Sequence, residues 1–249
     1  LWDFVEEEKI NFMGVSAKYI DALAKENLNI IDEYSFLDLE IIGSTGSPLV
    51  HESFDYIYNL IKKDVSVASL SGGTDIVGCF IGGNPFASVR RGEIQGPILG
   101  MDVHVFNEKG KSIKNTKGEL VCTQSFPTMP LFFWNDKNNE KYQNAYFNKF
   151  PNVWCHGDYL MKTESNGFII FGRSDATLNP GGVRIGTAEI YRQVEQLDEI
   201  VEGLVVGQTW EGDTRVILFV RLNPEFKLTK DLTDKIKSKI RIGASPRHV

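Results

Sequence analysis

The stretch Val65–Asp75, which reads VSVASLSGGTD, carries the strongest indication of the fold. It begins with a short apolar run, Val65–Leu70, that is typical of a buried strand, and it continues directly into a glycine-rich turn. The backbone N–H groups of such a turn can bind a phosphate, and the hydroxyl of Thr74 can add a donor. The carboxylate of Asp75 beside a phosphate would suit Mg²⁺. Because the same residues are also common in hairpin turns, both interpretations stay open from this stretch alone.

The sequence before this stretch has the same order of elements. Helices are predicted over Lys18–Asn27 and His51–Lys63, where apolar residues recur at helical spacing, and Leu37–Ile42 is a strand-like apolar run. This run leads into a loop that ends in Gly46–Pro48. The glycine would let the backbone approach a flat ligand, and the proline can open the next helix, although a plain turn has the same composition. The repeated order of helix, strand and loop predicts parallel strands whose carboxyl ends carry ligand-binding loops.

The pattern changes at two points further along the chain. From Val77 to about Phe171, short apolar runs alternate with Gly and Asn turns, which predicts an antiparallel sheet or barrel. After Gly172, a glycine-rich stretch precedes a helix over residues 188–197, two strands and a basic helix over residues 230–240. That order is typical of a small α+β domain with its boundary near Asp175. We therefore predict an α/β fold, with residues 1–174 in a large domain and residues 175–249 in a small one.

The composition is that of an ordinary globular protein and excludes several classes. The 249 residues include 27 Lys and Arg and 33 Asp and Glu, so the net charge of −6 gives no basic field for nucleic acid. No apolar run approaches the roughly 18–20 residues of a membrane span, and no signal peptide is visible. We therefore expect neither a nucleic acid nor a membrane as a partner.

Three local features add to these expectations. Residues 230–249 hold six Lys or Arg against two Asp, which indicates either a solvated helix face or a funnel for an anionic ligand. The three cysteines have neither a disulfide framework nor metal-ligand spacing, and we expect a reducing, cytoplasmic location. The chain has no initiator Met, and Ser245–Val249 has the pattern of a strand entry, so we expect a longer protein.

Two later segments contain residues that could bind a nucleotide. In Cys155–Asp158, the carboxylate of Asp158 can accept hydrogen bonds from a ribose diol. His156 has no accompanying nucleophile motif, so we expect a packed histidine rather than a general base. Between Gly172 and Arg184, two arginines stand among glycines and a proline. They could bind phosphates or ribose oxygens, or they could lie in a solvated linker.

Taken in order, these motifs resemble the adenylate-forming acyl-CoA synthetase superfamily over almost the whole chain. Ser71–Asp75 is similar to the family's Tyr-Gly-X-Thr-Glu, with serine in place of tyrosine and aspartate in place of glutamate. His156–Asp158 is similar to Thr-Gly-Asp, with histidine in place of threonine. Gly172–Asp175 is similar to the hinge motif Gly-Arg-X-Asp, and Arg184 is similar to the arginine that follows it.

The resemblance implies a role for each of these residues. Residues 1–174 would be the C-terminal portion of a large AMP-binding domain, and residues 175–249 an incomplete small domain that rotates about Asp175. Asp75 would hold Mg²⁺, with a carboxylate one methylene shorter than the family's glutamate. The catalytic residues would be Thr74, Asp175 and Arg184. The nucleotide would be bound by Gly46, Ser47, Pro48, Ser69, Leu70, Ser71, Gly72, Gly73, Thr74, Asp158, Arg173 and Arg184. CoA would be bound by Gly181, Gly182 and Arg241.

Seven stretches resemble one branch of this superfamily more closely, the ligases that act on acetoacetate. This resemblance implies an enzyme that joins acetoacetate to CoA through an acyl-adenylate, with ATP, Mg²⁺ and CoA as its small molecules. The stretches are Arg91–Gln95, Lys117–Thr123, Trp134–Asp136, Ala145–Phe150, His156–Tyr159, Arg173–Pro180 and Ser245–Val249.

Departures from the family pattern leave alternatives open. The family's phosphate loop ending in Pro-Lys and the lysine that drives adenylation have no counterpart in these 249 residues, so we expect the chain alone to be inactive. An acetyl- or propionyl-CoA synthetase and a carrier-protein adenylation domain are alternatives, although these usually have an aromatic residue where Ser71 stands. A noncatalytic nucleotide-binding module is a further alternative. The sequence predicts neither the acyl pocket nor the oligomeric state.

Overall fold

The chain forms two compact units in the computed structural model. The structure describes residues 1–174, 176–178, 185–210 and 213–244. The two units are Leu1–Ile170 and Phe171–Val249. The predicted boundary at Asp175 lies close to this division, and the assignment of domains stays a prediction.

A three-stranded parallel sheet with helical connections forms the first part of unit 1. The strands β1 (Phe12–Ser16), β2 (Ile41–Thr45) and β3 (Ser66–Ser69) are hydrogen-bonded in the order β1-β2-β3. The helices are α1 (Trp2–Glu7), α2 (Ala17–Lys25) and α3 (His51–Tyr56), which continues as a π-helical turn over Ile57–Ile61. The apolar faces of the helices pack on the sheet around fully buried side chains. These include Ile20, Leu39, Ile42, Phe54 and Ile57.

Three local details of this part differ from the sequence-based predictions. The strand predicted over Leu37–Ile42 instead begins at Ile41 and runs to Thr45, because its backbone pairs with β1 and β3 on both sides. Strand β1 was not predicted, since its half-exposed residues include a glycine and show no continuous apolar run. The helix predicted over His51–Lys63 ends at Ile61, and Lys62 is already extended.

Short antiparallel strands form the rest of unit 1, as the Gly and Asn turns predicted. Strands β4 (Ser71–Gly73), β5 (Gly78–Gly82) and β6 (Gly96–Pro97) form one small sheet. A second sheet has the order β10-β9-β8-β7 and packs beside α4 (Glu140–Tyr146). Its strands are β7 (Val103–Phe106), β8 (Gly118–Cys122), β9 (Trp154–Lys162) and β10 (Phe168–Arg173).

Unit 2 has the small α+β pattern expected from its sequence. A long antiparallel hairpin of β13 (Ile200–Trp210) and β14 (Asp213–Leu222) packs against α5 (Thr187–Val194) and α6 (Lys230–Gly243). The short strands β11 (Thr177–Leu178) and β12 (Ile185–Gly186) precede α5. The hydroxyl of Thr229 caps α6 by accepting from the backbone N–H of Leu232. The predicted α/β class, with a parallel part, a β-rich part and a small α+β part, is confirmed. Across the described residues, no helix combines the length and apolar character that a membrane crossing needs.

Candidate nucleotide-binding site

Two of the predicted loops lie at the same edge of the parallel sheet. Ser44 of β2 pairs with Ser69 of β3, and the backbone N–H of Leu70 donates to the carbonyl of Ser44 at 2.8 Å. Gly46–Pro48 follows β2 directly, and the Ser71–Asp75 segment follows β3. The parallel pairing therefore brings the predicted adenine and phosphate segments side by side, at the carboxyl edge where ligands bind in such sheets.

The structure corrects the local conformation of the predicted phosphate turn. Ser71–Gly73 is extended and pairs with β5 as one arm of an antiparallel hairpin, and the turn itself is a 3₁₀ segment over Thr74–Ile76. Val77 then adopts a left-handed conformation with φ 47°. Thr74 and Asp75 are exposed at this turn, so their side chains are accessible to a ligand.

The glycines at this edge meet two different requirements. Gly46 has φ 88° and no atom within 4 Å of a hypothetical Cβ, so it satisfies backbone conformation and leaves open space. At Gly72 a Cβ would lie 2.0 Å from the carbonyl oxygen of Gly78 on the paired strand. At Gly73 it would lie 2.0 Å from Oδ1 of Asp75. Gly72 is therefore needed for the close approach of the two backbones, whereas a side chain at Gly73 would displace the Asp75 carboxylate.

The carboxylate of Asp75 is held by a tyrosine from helix α4. The hydroxyl of Tyr146 donates to Oδ2 of Asp75 at 2.6 Å. The ring of Tyr146 stacks on Trp154, with 3.6 Å between ring centroids and 14° between planes. Sequence analysis did not identify Tyr146, although it lies in the Ala145–Phe150 stretch. No local pattern links it to a residue 71 positions earlier in the chain.

Strand β9 carries Trp154, His156 and Asp158, whose side chains follow one another in contact although the pairing with β8 is irregular here and Gly157 has φ 83°. His156 is 6% exposed, lies edge-on to Phe80, and its Nδ1 accepts from Nε1 of Trp154 at 3.4 Å. It is packed, as expected. The carboxylate of Asp158 is buried, with Oδ2 3.8 Å from Nε2 of His156. Since a Cβ on Gly73 would lie 3.0 Å from Cε1 of His156, this part of β9 borders the β4 segment.

One buried hydroxyl lies just inside this edge. Ser44 is fully buried, and its Oγ has no hydrogen-bond partner among the residues that the structure describes. Buried hydroxyls are usually paired, and an ordered water is the common partner when protein groups are lacking. Sequence analysis did not identify Ser44 as a site residue.

Two thiols of unit 1 have perturbed acidity, and one of them borders the site. Cys79 of β5 pairs with Gly72, and burial raises the pKa of its half-exposed thiol. Burial, and then the charge of Glu119, raise the pKa of Cys155 to about 11. Both thiols are therefore protonated and weakly nucleophilic at neutral pH.

The remaining predicted residues belong to unit 2 or lie outside the described part of the chain. Arg173 is exposed at the end of β10, and Arg241 is exposed in the last turn of α6, both in unit 2. Asp175, Gly181, Gly182 and Arg184 lie outside the described residues.

Solved structures of two CoA ligases share the fold of this chain. An anthranilate CoA ligase, AuaEII, superimposes with a TM-score of 0.74 at 18% identity, covering 97% of this chain and 45% of that chain. A benzoate CoA ligase from Burkholderia xenovorans LB400 superimposes with a TM-score of 0.71 at 20% identity, covering 96% of this chain and 46% of that chain. At this identity the likeness concerns the fold alone. No family model matches the chain.

Proteins of higher sequence identity indicate a narrower class of CoA ligase. Acetoacetyl-coenzyme A synthetase of Rhizobium meliloti is 57% identical over 249 residues, which is 100% of this chain and 38% of that protein. Acetoacetyl-CoA synthetase of Mus musculus is 45% identical over 251 residues, again 100% of this chain, and 37% of that protein. The structure of the Streptomyces lividans acetoacetyl-CoA synthetase superimposes with a TM-score of 0.89 at 38% identity, covering 100% of this chain and 38% of that one. The predicted resemblance is confirmed: over its whole length this chain is related to part of the acetoacetyl-CoA synthetases, and it spans about 38% of the relatives' length.

Proposed function

We propose that the protein carrying this chain is an acid–thiol ligase that makes acetoacetyl-CoA from acetoacetate, ATP and CoA. The observation that carries the proposal is 57% identity over all 249 residues to a protein of that name. The exposed Thr74 and Asp75 at the carboxyl edge of the parallel sheet support it, because a nucleotide bound there would reach both side chains.

The proposed chemistry has two steps. A carboxylate is a poor acyl donor because its leaving group would be oxide. Attack of one acetoacetate oxygen on the α-phosphorus of ATP forms acetoacetyl-AMP and releases pyrophosphate. The thiol of CoA then attacks the acyl carbon, loses its proton and displaces AMP. Groups that stabilise the charge developing on the phosphate would accelerate the first step.

Residues of unit 1 would hold the nucleotide. The backbone of Gly46–Pro48 would face the adenine, and Ser69–Thr74 would surround the adenine and the α-phosphate, with the hydroxyl of Thr74 donating to a phosphate oxygen. Asp158 would bind the ribose hydroxyls. In unit 2, Arg173 would assist at the ribose.

Asp75 is suited to a supporting role for Mg²⁺. Among the described residues, no group of three or more His, Cys, Asp or Glu could enclose a metal ion. An all-protein cage is not required, because Mg²⁺ is usually bound by one or two carboxylates together with substrate phosphates. The exposed carboxylate of Asp75 fits that pattern, and bound Mg²⁺ would supply charge neutralisation at the phosphates.

The second step would depend on residues 171–249. Gly181 and Gly182 would border the path of the CoA thiol, Arg184 would bind phosphates, and Arg241 would meet the CoA phosphates. Rotation about Asp175 would let one site serve both steps while water is excluded. The expected location is the cytoplasm, where ATP and CoA are available and free thiols persist.

An AMP-release assay on the full-length protein tests the proposal. We expect AMP formation with acetoacetate, Mg²⁺ATP and CoA, and weaker or no formation with acetate and propionate at equal concentrations. Higher kcat/KM for acetate or propionate would instead indicate an acetyl- or propionyl-CoA synthetase. Absence of AMP with all three acids, with ATP still bound, would indicate a noncatalytic nucleotide-binding module.

A further inference from the structure

Helix α4 presents two tyrosines to the same aromatic cluster, but their hydroxyls have different partners. The rings of Tyr142 and Tyr146 lie 5.6 Å apart, and both contact Phe133 and Trp154. The hydroxyl of Tyr142 donates to the carbonyl of Pro130, within the loop that leads into α4. The hydroxyl of Tyr146 instead leaves the cluster and reaches Asp75 at 2.6 Å. Packing alone would be served by a phenylalanine ring at position 146.

The two oxygens of Asp75 have separate surroundings. Oδ2 accepts from Tyr146, and Oδ1 lies over Gly73, where a Cβ would be 2.0 Å away. A hydrogen bond to one oxygen fixes the rotation of the carboxylate and leaves lone pairs of the other oxygen for a cation. The aspartate side chain is one methylene shorter than the glutamate of the family pattern and cannot reach as far toward a ligand. Its orientation therefore depends more on neighbouring residues.

We propose that Tyr146 is a positioning residue: its hydroxyl orients the Asp75 carboxylate toward the Mg²⁺ that accompanies ATP. This inference rests on the proposed function only through the Mg²⁺ATP site and does not depend on the acyl substrate. The stack on Trp154 already keeps the tyrosine ring in place. The hydrogen bond therefore serves to orient the Asp75 carboxylate rather than to fix the ring. Outer partners of metal ligands typically change metal affinity by about 10–100-fold when they are removed.

The test compares four forms of the full-length protein with wild type: Tyr146→Phe, Tyr142→Phe, Asp75→Asn and the double variant Tyr146→Phe/Asp75→Asn. ATP affinity is measured by calorimetry at a series of Mg²⁺ concentrations, which gives the Mg²⁺ concentration for half-maximal tightening. The kcat and KM for ATP are measured in parallel. Near-UV circular dichroism checks that the aromatic cluster is unchanged, because phenylalanine retains the ring of Tyr146.

We expect Tyr146→Phe to raise the half-maximal Mg²⁺ concentration about tenfold or more, and Tyr142→Phe to change it by less than about twofold. On the Asp75→Asn background, Tyr146→Phe should add no further change. The inference would be overturned if Tyr146→Phe kept the Mg²⁺ dependence of the wild type. It would also be overturned if Tyr146→Phe raised the half-maximal Mg²⁺ concentration by the same factor on the Asp75→Asn background as it does in the wild type. Since these are binding measurements, they give an answer even if the protein acts on an acid other than acetoacetate, and the AMP-release assay decides that question separately.

Discussion

Gly73 lies against His156, so that a methyl group between them would fit only if the histidine ring shifted. A Cβ at Gly73 would come within 3.0 Å of Cε1 of His156 on one side and 2.0 Å of Oδ1 of Asp75 on the other. The backbone there has φ −149° and ψ 152°, which any residue adopts. A side chain at position 73 would therefore press on the Asp75 carboxylate and on His156, and Gly73 lies between the turn that carries Asp75 and the strand that carries Asp158.

Replacing Gly73 with alanine should disturb ATP binding by displacing the Asp75 carboxylate. His156 is packed and buried, so the exposed side chain of Asp75 should move instead. We expect Gly73→Ala to raise the KM for Mg²⁺ATP about tenfold in the full-length protein, because the carboxylate that would support Mg²⁺ is displaced. Gly14→Ala is the matched control, because the nearest atom to its Cβ is 3.5 Å away. An unchanged KM in Gly73→Ala would show that the position of the Asp75 carboxylate does not affect binding of Mg²⁺ATP.

Sequence reasoning predicted the order of the site segments because local patterns carry that information. The apolar run before Ser71 and the glycines after it were sufficient to place a ligand loop after a strand, and the strands β7 to β10 are antiparallel, as the Gly and Asn turns of that region predicted. The conformation of Ser71–Gly73 was predicted incorrectly as a turn, because its pairing with Gly78–Gly82 depends on a register that the glycines alone do not specify.

The support of Asp75 could not have been predicted for a different reason. Tyr146 meets Asp75 only because α4 and β9 bring the aromatic cluster beneath the β4 turn, and a tyrosine in an amphipathic segment is equally consistent with plain core packing. The burial of Glu119 was not predicted either. A single glutamate in the run Gly118–Cys122 is also expected on the exposed face of a strand, where its carboxylate would be solvated.

Lys149 and Glu119 form a pair whose two members are buried to different extents. Nζ of Lys149 donates to Oε1 of Glu119, and the side chain of Glu119 is 5% exposed against 42% for Lys149. Lys149→Ala should therefore leave a carboxylate buried without its cation. We expect a loss of about 1–3 kcal/mol, less than for a fully buried pair because water reaches the lysine.

Thermal melting of the variants measures this loss. The double variant Lys149→Ala/Glu119→Gln should recover part of the stability, because the buried charge is removed together with its partner. Lys109→Ala, at an exposed turn, serves as the control and should melt within a degree or two of wild type. Equal melting temperatures for Lys149→Ala and Lys109→Ala would contradict the predicted importance of the pair.

The three cysteines should differ in their reaction with iodoacetamide. Cys79 is half-exposed, whereas Cys122 and Cys155 are buried, so Cys79 should be labelled first in the folded protein. Burial raises the pKa of Cys79 above its ordinary value of 9.0, which lowers the thiolate fraction at neutral pH. Labelling should therefore be slow at neutral pH and accelerate continuously as the pH rises through 9.

Mass spectrometry of the labelled peptides gives the order and the pH profile. Because Cys79 pairs with Gly72 on the predicted phosphate segment, saturating Mg²⁺ATP should slow its labelling. Faster labelling of Cys155, whose pKa is raised to about 11, would contradict the described packing. Labelling of Cys79 at the same rate with and without Mg²⁺ATP would argue against a nucleotide beside β4.

Replacement of Asp175 with proline tests the proposed rotation of the small domain. Asp175 lies outside the described residues, shortly after the division between Ile170 and Phe171. Proline fixes φ near about −65° and removes the backbone donor, so a residue that must change conformation between two steps would be locked in one of them. Asp175→Ala removes the same carboxylate but leaves φ unrestricted, and it is the matched control.

The two half-reactions must be followed separately in the full-length protein. Pyrophosphate exchange reports adenylation, and thioester formation from added acetoacetyl-AMP reports the transfer to CoA. We expect Asp175→Pro to retain one of these near the wild-type rate and to lose most of the other, while Asp175→Ala retains both. If alanine and proline impair both half-reactions equally in a folded protein, Asp175 acts through its carboxylate. In that case the rotation must occur about another residue.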